Sequence, residues 1–120
     1  MRRLFFASIF LMLVSTPAWA LLEIEREQLR TLPNWFPYVS CQEGKGLKQC
    51  FVWTRDECEA MTAQVMQSCL NMYDTQFRRA DTGSLEEWRE RIIACTVNDI
   101  RAKLRTRKVD SMMCRNKGMY

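Results

Sequence analysis

From Cys58 onward the apolar positions recur with the period of a helix. Projected at about 100° per residue, Met61, Val65, Met66, Cys69, Leu70, Met72, Tyr73 and Phe77 share one side, and Gln64, Gln67, Asn71, Asp74 and Arg78 lie opposite. A second stretch repeats the pattern with Leu85, Trp88, Ile92, Ile93, Cys95, Val97, Ile100 and Leu104. Each opens on an S/T-x-x-E capping box, Thr54 with Glu57 and Ser84 with Glu87, in which the hydroxyl oxygen accepts a first-turn amide and the glutamate reaches back to the cap. Asp81-Thr82-Gly83 between them reads as a turn, and so short a connection makes the two helices antiparallel neighbours.

With the turn centred between Asp81 and Thr82, residue n of the first helix lies level with about 163 minus n on the second. Cys69 then stands beside Cys95, both on apolar sides, and a disulfide between them is expected. The remaining four cysteines pair in one of two ways. If the second helix runs past Val109, Cys114 reaches the level of Cys50 and Cys41 is left with Cys58. If the chain turns after Lys108, Cys58–Cys114 with Cys41–Cys50 fits better. The first pairing is favoured.

Ahead of the hairpin, Leu22, Leu29 and Leu32 recur among Glu23, Glu25, Arg26, Glu27 and Arg30, which predicts a short N-terminal helix over 21–32 that ends before Pro33. Prolines at 33 and 37 argue against a helix throughout Leu32–Tyr38, because each restricts its predecessor to extended backbone. Trp35, Phe36 and Tyr38 in that segment either cover the open side of the hairpin or form an exposed aromatic anchor for a partner. Between Cys41 and Thr54, a glycine-containing turn followed by Cys50-Phe51-Val52-Trp53 fits a small β-hairpin or an irregular loop strapped by cysteines. The expected fold is mainly α: a small, disulfide-stapled antiparallel helical hairpin with an additional short N-terminal helix and a cysteine-bounded loop.

Residues 1–20 change the picture of the compartment. Arg2 and Arg3, the apolar run Leu4–Val14 and the small-x-small site Ala18-Trp19-Ala20 read as an export signal cleaved before Leu21. The run is shorter than the roughly 20 residues a membrane span needs. The mature chain, residues 21–120, is then one small domain with all six cysteines, exported to the periplasm or secreted. It has only 20 Leu, Ile, Val and Phe residues, thin for a core, so bridges worth roughly 2 to 4 kcal/mol each are expected to supply part of its stability.

Histidine is absent, which removes the usual base near neutral pH, Ser-His and Cys-His nucleophile pairs and most zinc sites. The cysteine spacings contain no C-x-x-C, so redox, haem-attachment and zinc-knuckle motifs are missing and the cysteines read as structural. Asp56, Glu57, Glu59, Glu86, Glu87 and Glu90 lie in first helical turns, where they complement the helix dipole rather than form a glycosidase pair. Met61, Met66 and Met72 fall in the apolar arc and read as core filling rather than as thioether ligands. Neither a metal nor a cofactor is expected, and no catalytic residue is assigned.

Charge is uneven: residues 101–120 sum to +6, through Arg101, Lys103, Arg105, Arg107, Lys108, Arg115 and Lys117 against Asp110. This basic end either complements a helix C-terminus or meets an acidic partner or anionic surface; nucleic acid is not expected for an exported chain of small net charge. On the second helix Asp99, Lys103 and Arg107 project at about 320°, 0° and 40°, inside the apolar arc, as a shielded ion-pair stripe or as the lining of a groove. The expected function is non-catalytic binding to a protein partner in the envelope or outside the cell. An inhibitor or immunity protein for an envelope-acting enzyme and an accessory component of a secretion or surface assembly are the roles that fit, with Trp35, Phe36, Tyr38, Lys103, Arg105, Arg107 and Lys108 as contact residues. The alternative is a secreted effector or toxin acting through a basic C-terminal helix on membranes or a host protein.

Overall fold

The computed structural model describes residues 23–76 and 83–116. Residues 1–20, read above as an export signal, and the expected turn at Asp81 and Thr82 lie outside the described residues, as do Leu22, Phe77, Arg78 and Lys117. Six helices are present among those described: α1 (Glu23–Arg30), α2 (Leu32–Ser40), α3 (Gly46–Gln49), α4 (Arg55–Tyr73), α5 (Leu85–Lys103) and α6 (Met112–Asn116). The fold is the mainly α, disulfide-stapled one, with α4 and α5 as the hairpin.

Both long helices start where the capping boxes place them. The Thr54 hydroxyl oxygen accepts the Glu57 amide at 3.1 Å, and Ser84 accepts the Glu87 amide at 3.2 Å. Gly83 enters α5 with φ +100°, a backbone region that only glycine adopts without strain. Cys69 and Cys95 are bridged at a Cα separation of 6.1 Å. The other bridges are Cys41–Cys58 and Cys50–Cys114.

The favoured pairing is therefore present, although the helix that was to bring it about stops short. The α5 helix ends at Lys103, Leu104 caps it, and the chain turns through Arg107, whose amide bonds Leu104 O at 2.9 Å. Cys114 instead reaches Cys50 because residues 107–109 pair with 50–52. Val52 N donates to Arg107 O at 2.7 Å and Val109 N to Cys50 O at 2.9 Å, around an isolated antiparallel bridge between Phe51 and Lys108. Strand-like composition at Cys50–Trp53 thus yields one bridge to the C-terminal segment and no β-hairpin. The glycine-containing stretch before it forms α3, whose Leu47 carbonyl accepts the buried Trp53 indole N–H at 2.8 Å.

The aromatic segment departs furthest from expectation. Leu32–Ser40 is helical with Pro37 inside it. Pro33 falls in the first turn, where no amide partner is lost, and only Pro37 removes a helical bond; a proline inside a helix costs about 3 kcal/mol in isolation. Burial of Leu32 and Pro37 against the rest of the molecule and the Cys41–Cys58 bridge at the end of α2 offset that cost. The α1 helix ends one residue before α2, close to the expected stop.

The core gathers Leu29 and Leu32 from the N-terminal helices, Val65, Met66 and Leu70 from α4, and Trp88, Ile92 and Ile100 from α5, extended by Leu47, Phe51, Trp53 and Leu104. Thr62 and Thr96 are fully buried in it. The Thr96 hydroxyl donates to Ile92 O at 2.7 Å and Thr62 Oγ1 lies 3.8 Å from Cys41 Sγ, so burial leaves neither hydroxyl without a neighbour. Met72, by contrast, is 58% exposed and is not core filling.

Candidate functional site

Packing α2 onto α4 divides the aromatic segment between two faces. Leu32 and Pro37 turn inward, and Phe36 is partly buried against the core. Trp35, Tyr38 and Val39 remain 46%, 59% and 43% exposed. These three stand at i, i+3 and i+4, one stripe of a helix that carries no charged residue. Trp35 rests edge-on to Phe36, ring centroids 6.2 Å apart, so a half-buried ring supports an exposed one.

The stripe is held from both ends. Two prolines limit the backbone freedom of α2, and Ser40 donates its hydroxyl to Phe36 O at 2.7 Å just before the Cys41–Cys58 bridge. Across from Tyr38, the Arg55 guanidinium sits 5.1 Å from the ring centroid and donates through Nε to Glu59 at 3.2 Å. That hydrogen bond raises the Arg55 pKa beyond its already high ordinary range. Tyr38 is therefore oriented by a cation that is itself oriented. Among the contact residues expected from sequence, Trp35 and Tyr38 share this surface and Phe36 supports it from behind. Val39 was missed, because its place in the stripe exists only if the segment is a helix.

The basic residues end up differently. Arg107 pairs with Glu57 of α4 at 3.3 Å, and Arg115 pairs with Asp110. The fold adds Lys48 from α3, itself paired with Glu43 at 3.6 Å. Lys103 and Arg105 are exposed and follow different backbone geometries, one closing α5 and the other in the turn beyond it. Lys108 is tied into the bridge with Phe51. Among the described residues the terminal charge is thus dispersed and partly neutralised, and no continuous basic helix carries it.

Nor does the Asp99, Lys103 and Arg107 stripe form as projected. Arg107 is outside α5, and no ion pair joins Asp99 to Lys103; both are exposed. Asp99 instead borders an open cleft of about 130 Å³ over the Cys69–Cys95 bridge, together with Ser68 and Met72. Compared with known protein families, curated proteins and solved structures, the chain finds no match.

Proposed function

We propose that the protein is an exported, non-catalytic binding module that holds a protein partner through the outer face of α2. The observation that supports this most directly is the exposed Trp35, Tyr38 and Val39 stripe on an uncharged helix braced by two prolines and a disulfide. Aromatic side chains supply much contact area for few rotatable bonds, and a rigid backbone lowers the entropy lost on docking. An inhibitor or immunity protein for an envelope-acting enzyme, or an accessory subunit of a secretion or surface assembly, needs such a surface and no catalytic group. A basic C-terminal helix acting on membranes has less support, since α5 ends at Lys103 and Arg107 is paired with Glu57.

A photo-crosslinking residue placed at position 35 in the exported protein tests the reading, with position 64 on the polar side of α4 as control. One stoichiometric protein cross-linked from 35 and not from 64 is expected. Once that protein is purified, Trp35→Ala should weaken binding about 30-fold, equivalent to about 2 kcal/mol. Neutralising Arg105, Arg107 and Lys108 should leave affinity within about threefold. Cross-links to lipid alone, or an affinity that depends on those three cations, would refute the proposal.

A further inference from the structure

The cleft over the Cys69–Cys95 bridge is bordered by Ser68, Cys69 and Met72 of α4 and by Cys95 and Asp99 of α5, with no residue of α2. Its apolar surface comes from the disulfide and the exposed Met72 thioether. Ser68 donates its hydroxyl to Gln64 O at 3.2 Å, which leaves the Asp99 carboxylate as the anionic group of the rim. Asp99 makes no ion pair among the described residues. Neither does Lys103, which follows it by one turn along the row Cys95, Asp99, Lys103 on α5.

An apolar cleft with a carboxylate at its edge suits an ammonium carried on a methylene stem, and Lys103 is such a group, but it belongs to the same row and does not bond Asp99. We propose that a second copy of the chain supplies it. Two α5 helices packed antiparallel across a two-fold axis near the level of Asp99 bring Lys103 of each copy opposite Cys95 of the other. The lysine side chain, tilted toward the N-terminus of its own helix, then runs from the disulfide to the Asp99 carboxylate. Such a contact is isologous and closes at a dimer, with two identical charge pairs. The row follows the i, i+4 ridge that helices most often use to pack against one another. A formal net charge of only +4 for the whole chain opposes self-association weakly. This contact is independent of the α2 surface.

Sedimentation velocity over a concentration series, at low and at high salt, reads the outcome. The wild-type protein should form a reversible dimer that salt weakens. Asp99→Lys and Lys103→Asp should each weaken it about tenfold or more, because each places like charges at both symmetry-related contacts. An equimolar mixture of the two variants should restore association as a heterodimer, and the double variant D99K/K103D should dimerise by itself. Both positions are exposed, and circular dichroism checks that each variant folds; if one single variant does not, the double swap decides alone. A wild-type protein that stays monomeric throughout the series overturns the proposal. So does a dimer indifferent to the charge reversals, or one lost on replacing Trp35 and Tyr38 with alanine while these charges have no effect.

Discussion

Trp88 and Trp35 show how far a side chain's contribution depends on the face its helix turns inward. Trp88 is 1% exposed, packed edge-on to Tyr73 with the Arg91 guanidinium 4.7 Å from its ring. Trp88→Ala should cost about 3 to 5 kcal/mol in urea unfolding, the range for a large aromatic removed from a core. Trp35→Ala should change stability by no more than about 1 kcal/mol, its loss appearing in partner affinity instead. A Trp35→Ala variant that unfolds with Trp88→Ala would place residue 35 in the core and remove it from the surface. At the helix starts, Thr54→Ala and Ser84→Ala should each cost about 1 kcal/mol. Gly83→Ala should cost more than about 1 kcal/mol: the strain at φ +100° comes on top of a new Cβ only 2.5 Å from the Glu87 carboxylate.

At the level of elements, three bridges join segments separated by 17, 26 and 64 residues. Loop-closure entropy in the unfolded chain ranks them, with stabilisation of about 3, 3.5 and 4.3 kcal/mol for Cys41–Cys58, Cys69–Cys95 and Cys50–Cys114. Replacing each pair by alanine and comparing melting temperatures tests that order. Loss of Cys50–Cys114 should be the most harmful, since it also frees the segment that pairs with 50–52. Cys41–Cys58 has a local role that the entropy ranking omits: it holds the end of α2, and its removal should weaken partner binding more than removal of Cys69–Cys95 does. Equal effects on binding would show that Pro33 and Pro37 alone stiffen the stripe.

For the molecule as a whole, the bridges together contribute on the order of 10 kcal/mol, comparable to the entire stability of a small domain. Reduction should therefore unfold the protein cooperatively at ambient temperature, followed by far-ultraviolet circular dichroism. Three disulfides fit folding in an oxidising compartment, and no described helix is long and apolar enough to cross a membrane. If the protein is exported as proposed, its intact mass, alkylated without reduction, should match a chain beginning at Leu21 with no alkyl groups added. Alkylation of two or more cysteines in the folded protein would turn attention to thiol chemistry.

Local physics made much of this fold legible in the sequence. The two capping boxes and the helical period of α4 and α5 depend on neighbours within a few residues, and the register counted from the expected turn put Cys69 beside Cys95. Where an outcome depended on what covers a surface, the sequence alone was ambiguous. Proline restriction opposed a helix at Leu32–Tyr38, yet burial of Leu32 and Pro37 and a terminal disulfide outweighed it, and the resulting helix aligned Trp35, Tyr38 and Val39. Met72 shares the apolar side of α4 with Met66, but Met66 is fully buried whereas Met72 is mostly exposed and borders a cleft. Thr62 and Thr96, polar by type, are buried, the Thr96 hydroxyl bonded to Ile92 O and the Thr62 hydroxyl beside Cys41. The sum of charges after Arg101 was plain in the sequence; Glu57, 50 residues from Arg107, is among the groups that decide how much of it remains unpaired. Periodicity and caps are properties of a segment, whereas exposure and charge pairing belong to the assembled molecule, and only the tertiary structure could decide them.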